Sequence, residues 1–97
     1  MAIKRFSPRQ NFNKTGIQKA PTNKPIIYKI MNKEGTNIYT GTAKRGRGPE
    51  RLRDHLPGGQ DPIPGAKTFQ VKQKQSIAKA EKEEKRIIEK EKPKYNK

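Results

Sequence analysis

The sequence contains no cysteine and no tryptophan. The first absence excludes a disulfide framework and any thiolate-ligated zinc site, and it fits a reducing compartment, the cytoplasm being the expectation. Apolar residues are scarce as well, at 28%, so any core must be compact. No apolar run approaches the roughly 20 residues of a spanning helix and none near the start resembles a signal peptide, so no membrane partner is expected. Acidic side chains are few: nine stand against 24 Lys and Arg, for a formal charge of +15 over 97 residues. That length holds one small domain. A chain so charged repels itself, and its natural counterpart is a polyanion, nucleic acid first and an anionic membrane surface second.

Acids are absent altogether from residues 1–24, which carry Lys4, Arg5, Arg9, Lys14, Lys19 and Lys24. Apolar residues there recur at neither a helical nor a strand period. This stretch reads as a disordered basic N-terminal arm, either lying on a phosphate backbone or serving only as a linker. The folded domain is expected over residues 25–97.

What is present becomes informative from Pro25. "PIIYKIM" is a β-branched and aromatic run with proline at a strand's first position, and "NIYTG" is a second short run. Between them "NKEGT" is turn-like, with Gly35 supplying the permissive dihedral. If Glu34 and Gly35 form a two-residue loop, Ile30 faces Tyr39 and Tyr28 faces Gly41. Tyr28 and Tyr39 then project from one face as diagonal neighbours, roughly 7–8 Å apart at the backbone. A slip of one residue would place them on opposite faces.

Further along, "TAKRGRG" is a flexible basic loop. Lys44, Arg45 and Arg47 in it, with Arg53 beyond, are expected to bind backbone phosphates without reading sequence. Pro49 suits the first position of a helix, "PERLRDHL", on which Leu52 and Leu56 share a face and Arg51 and His55 share another. "PGGQDPIPG" must be loop. "KTFQVKQ" alternates Phe69 and Val71 as a third strand, and Ser76 is placed to cap a long helix from about Ile77 to Glu91, stopped by Pro93. The fold class is therefore α+β: a small three-stranded antiparallel sheet flanked by helices.

On the last helix, Ile77, Ala80, Ile87 and Ile88 gather on one side at ~100° per residue, and Glu84 falls about 20° from Ile77. A carboxylate on an inward-facing apolar stripe is costly unless it has a partner or a task. Either Glu84 pairs with a lysine or arginine across the sheet, or it works.

Taken in order, these residues resemble the GIY-YIG nuclease family. Ile26-Ile27-Tyr28 stands where the family has Gly-Ile-Tyr, and Tyr39-Thr40-Gly41 where it has Tyr-Ile-Gly. Arg51 with His55 in "RLRDH" resembles its arginine-containing helix, and "EKRIIEKEKPKYN", from Glu84 to Asn96, its closing segment. Two positions depart: Ile26 replaces a glycine, and Thr40 an aliphatic residue. The resemblance spans roughly residues 25 to 96 and implies a metal-dependent endonuclease that hydrolyses DNA phosphodiester bonds. It implies that Tyr28 activates water, Tyr39 positions the phosphate or the water network, and Arg51 grips the phosphate. It further implies that Glu84 ligates Mg²⁺ or Mn²⁺ and Asn96 ties the C-terminal segment back to the site. His55 either assists proton transfer, holds the phosphate, or is only a surface residue; Arg53 or Arg47 could replace Arg51 at the phosphate. A domain this small usually needs a targeting partner. The alternatives are a catalytically inactive DNA- or RNA-binding module of the same fold, and a basic structural protein of a ribonucleoprotein.

Overall fold

In the computed structural model, which describes residues 5–96, every element from Pro25 onward forms where its local chemistry directs. The elements in chain order are β1 (Gln10–Asn11), α1 (Lys14–Gln18), β2 (Ile26–Met31), β3 (Asn37–Ala43), α2 (Gly48–Asp54), β4 (Thr68–Gln73) and α3 (Ile77–Glu91). The sheet order is β1-β4-β2-β3, with all pairings antiparallel. β2 is central, as expected for a β-branched run buried on nearly every residue.

The expected register holds where it matters. Ile30 faces Tyr39 and Tyr28 faces Gly41. The turn differs from a two-residue loop, because residues 32–36 form it and a bulge between Ile30 and Met31 absorbs the extra length. Asn32 organises this turn: its Oδ1 accepts from the N–H groups of Glu34 and Thr36, each at 3.0 Å. Its own N–H donates to the Thr36 carbonyl, and Gly35 closes the bend at φ 83°.

Two expectations are corrected. The sheet has four strands rather than three, and the added strand comes from the segment expected to be a disordered arm. Within residues 5–24, β1 pairs with β4, and α1 packs beside it. Phe12, Ile17 and Ala20 are buried in the same core as Tyr28 and Phe69. The helix is so short that no period can show: Asn13 caps it, its Oδ1 accepting from Gly16 N–H at 2.8 Å. Each apolar residue enters the core from a different local conformation, with Phe12 meeting Phe69 edge-on at 6.0 Å. Ser7 extends the attachment, its N–H donating to the Val71 carbonyl and its Oγ accepting from Val71 N–H. Residues 1–4 of the expected arm, and Lys97, lie outside the described residues.

Strand alternation divides the sheet into two faces. Ile26, Tyr28 and Ile30 look toward the core that also holds Ile17, Leu52, Ile63, Phe69 and Val71. On the other face α3 lies over β3 and β2. Ser76 caps α3 by accepting from Lys79 N–H, and Lys92 ends it in the left-handed conformation at φ 47°. Two of its acids dock on sheet lysines: Glu83 bonds Lys72 and Lys74 at 2.8 and 2.7 Å, and Glu91 bonds Lys29 at 3.0 Å. Among the described residues, no helix is long and apolar enough to cross a membrane.

Candidate active site

Tyr28 is the fixed point of the site. It sits mid-strand in β2, fully buried, and its hydroxyl lies 2.8 Å from His55 Nε2. Its cross-strand neighbour must be glycine: a Cβ on Gly41 would come within 2.5 Å of the Tyr28 hydroxyl oxygen. The third residue of "YTG" is thus a steric requirement of the first tyrosine. Tyr39, the diagonal neighbour, is half-buried, with ring centroids 6.2 Å from Tyr28 and 4.7 Å from His55.

His55 follows α2 as its C-cap and is fully buried. The loop after it returns to hold its far nitrogen: Nδ1 lies 2.8 Å from the Asp61 carbonyl oxygen. A carbonyl only accepts, so Nδ1 carries the proton, and Nε2 is left as an acceptor for the Tyr28 hydroxyl. The loop is latched by Asp61 N–H to Asp54 O at 2.9 Å and Ile63 N–H to His55 O at 3.1 Å. Gly59 permits this closure, since a Cβ there would run into the Asp54 carbonyl at 2.3 Å. Asp61 contributes through a backbone carbonyl, and a main-chain role leaves no residue-type signal in the sequence.

Burial lowers the basicity of His55, partly offset by the hydrogen bond to Asp61 and reinforced by the charge of Arg51. Burial likewise pushes the Tyr28 phenol far up, with Tyr39 adding to it and Arg51 opposing. Tyr39 is raised first by its own burial and then by Asp61, again against Arg51. Arg51 is charged at any working pH. It is half-buried and keeps an ion pair with Asp54 at 3.3 Å, while part of it faces an open cleft of about 360 Å³ shared with Lys44, Arg47 and Glu81.

Three acids of α3 find no cation among the described residues, Glu81, Glu84 and Glu89, and of these Glu84 is the half-buried one. Glu83 and Glu91 take the sheet lysines, whereas Glu84 enters no ion pair or side-chain hydrogen bond among the described residues. Burial raises its carboxyl above the usual range, and Glu81 pushes the same way against Lys85. Its charge acts in the raising direction on both Tyr28 and Tyr39, as a minor cause beside their own burial. Among the described residues no three His, Asp or Glu side chains stand together. A single carboxylate already crowded by Glu81 is a donor suited to a hard cation that keeps most of its water ligands.

Tyr28, Tyr39 and His55 therefore share one locality, with Arg51 one helical turn before His55 on α2, whereas Glu84 belongs to α3 on the other face of the sheet. Asn96 is placed differently, on the exposed edge of β3. Its Oδ1 accepts from Thr40 N–H at 2.7 Å and its Nδ2 donates to the Thr40 carbonyl at 2.9 Å. The amide copies a strand partner and fixes the backbone between Tyr39 and Gly41. Lys44, Arg45, Arg47 and Arg53 are all exposed, and Arg47 is paired with Glu50 at 2.8 Å. Of the two departures from the motifs, Ile26 is core and packs against Gly48, and Thr40 Oγ1 accepts from Asn37 at 2.7 Å. Neither displaces a polar group of the site. The chain matches no known family model, and no curated protein matches it.

Proposed function

We propose that this protein is a divalent-metal-dependent endonuclease that hydrolyses DNA phosphodiester bonds through a GIY-YIG-like site. The observation that carries the reading is the buried chain Tyr28 hydroxyl to His55 Nε2, with His55 Nδ1 committed to Asp61. A phenol whose pKa is driven up by burial is a poor base if it must ionise alone. Donation to His55 removes that requirement. As Tyr28 Oη takes a proton from the attacking water, it passes its own to His55 Nε2, and free phenolate is never formed. The imidazolium so produced is met by the Asp61 carbonyl and, at 3.7 Å, by the Asp61 carboxylate. The water oxygen bonds phosphorus, one P–O ester bond breaks, and the departing oxygen is protonated from solvent.

Arg51 presents a planar fork to the phosphate, exchanging its hold on Asp54 for phosphate oxygens. Tyr39 lines the approach beside His55. Glu84, half-buried and without a cation of the chain's own, is the residue that would hold Mg²⁺ or Mn²⁺. When bound, such an ion polarises the phosphate and stabilises the departing oxygen. Asn96 is a positioning residue that keeps the Tyr39-Thr40-Gly41 backbone in place. The charge of +15 supplies affinity for phosphate without sequence preference, and selection of target is left to a partner protein or domain.

A second reading, a basic module that binds DNA or RNA without cutting, rests on the charge and on the pairing of Arg51 with Asp54. The two separate on one experiment. An end-labelled duplex is incubated with wild type and Tyr28→Phe in Mg²⁺ or Mn²⁺, and binding is measured in parallel in EDTA. The nuclease reading predicts cleavage lost in the variant by about 10²–10⁴-fold, with affinity unchanged. Binding by both proteins and cleavage by neither would leave the binding module.

A further inference from the structure

A second basic cleft opens at the other end of β3. It holds about 410 Å³ and is bordered by Lys33, Glu34, Ile38, Lys67, Lys94 and Tyr95. Its walls are tied down on three sides. The turn is organised by Asn32 Oδ1, Lys67 N–H donates to the Met31 carbonyl at 2.8 Å, and Tyr95 N–H donates to the Ile38 carbonyl at 2.9 Å. Three exposed lysines thus converge there against one carboxylate, that of Glu34. Tyr95 packs partly against the core and carries the Lys94 ammonium over its ring, 5.4 Å from the centroid. Lysines alone would suit any anion. An aromatic ring set among them suits a phosphate that brings a flat base with it.

The location adds the second argument. Ile38 borders this cleft, and Thr42 and Ala43 border the one that holds Arg51. Along β3 those borders lie about 14–17 Å apart at strand rise, with Tyr39 and Gly41 between them. That distance matches roughly four to five nucleotides of duplex rise. A strand laid along β3 would meet Arg51, pass Tyr39 and reach Tyr95.

We propose that the cleft of Lys33, Lys67, Lys94 and Tyr95 is a nucleotide subsite for the substrate strand, with phosphate on the lysines and an unpaired base on the Tyr95 ring. Lys94 moves from the ring to the phosphate as the base arrives. Resting on the nuclease reading, this makes the favoured substrate a DNA with an unpaired nucleotide a few positions from the cut, such as a gap or a flap.

The test measures fluorescence anisotropy of the full chain in EDTA with two labelled probes, a blunt duplex and the same duplex carrying a single-stranded overhang. Wild type should prefer the overhang. The double variant Lys33→Ala/Lys94→Ala should bind it about tenfold more weakly, with a salt slope reduced by roughly one to two. Tyr95→Leu should lose about tenfold on the overhang probe alone, and Tyr95→Phe should keep wild-type affinity. Circular dichroism establishes that each variant is folded. Unchanged affinity in the folded double variant overturns the subsite, and equal losses on both probes by Tyr95→Leu overturn the stacked base. Because binding is read without metal, a wild type that never cleaves would remove the nuclease reading and leave the subsite standing. Cleavage by the wild type with unaltered binding by the variants would do the reverse.

Discussion

At the scale of single residues, the site works through matched exclusions. Tyr28 excludes any side chain from position 41, and Asp61 excludes the wrong tautomer of His55. Gly41→Ala should therefore lower stability by about 1–3 kcal/mol through overpacking, measurable by urea denaturation, and should disturb cleavage with it. The acid side of the pH profile follows from His55. Its basicity is lowered below the ordinary 6.5 by burial, so it is neutral above that value and stays neutral some way beneath it. The unfolded chain binds this proton more readily than the native one. The stability that results is complete above pH 6.5 and declines as pH falls below it toward the lowered value. Single-turnover rates should hold through neutrality and fall only on the acid side of 6.5 as His55 and Glu84 take up protons. On the alkaline side, a phenol pushed up by burial predicts no loss from Tyr28 ionisation through pH 10.

At the scale of elements, the C-terminal segment is joined to the edge of β3 by the Asn96 amide. Asn96→Ala leaves both backbone groups of Thr40 without that partner, a cost of about 1–3 kcal/mol, and cleavage should fall while DNA affinity in EDTA is retained. Ile17→Ala, in the short helix of the N-terminal segment, should cost about 2–5 kcal/mol in chemical denaturation, because Ile17 is wholly buried. A disordered arm would show no such cost. That contrast marks how far the sequence was legible. The hairpin register, α2, β4 and the full extent of α3 followed from β-branched runs, Pro49, Ser76 and Pro93, each acting within a few residues. β1 and α1 did not, because Gln10–Asn11 and Lys14–Gln18 are too short to display a period and are held by tertiary contact. The shared face of Tyr28 and Tyr39 was legible from alternation, and the partial burial of Glu84 from helical angle. His55 was ambiguous because its burial depends on a loop of prolines and glycines whose path no local rule gives. Asn96 was expected to tie the C-terminal segment back, and its amide bonds both backbone groups of Thr40, between Tyr39 and Gly41.

At the scale of the whole molecule, a charge of +15 on 97 residues makes affinity for nucleic acid a matter of salt as much as of shape. Binding in EDTA should weaken linearly on a logarithmic plot against salt, with a slope set by the number of phosphates engaged. The carboxylates Glu83 and Glu91 are held ionised because sheet cations, with Asn37 at Glu91, overcome the opposing effect of burial. They clamp α3 to the sheet, while Glu84 on the same helix, half-buried and without such a pair, is the residue proposed to hold a metal. The central claim therefore reduces to that one carboxylate. Supercoiled plasmid with Mg²⁺ or Mn²⁺ is incubated with wild type and with Glu84→Ala, and EDTA serves as the control. The account predicts nicking by wild type alone and only with metal, with both proteins binding DNA equally. Equal nicking by both proteins, or none by wild type with either metal, would contradict it.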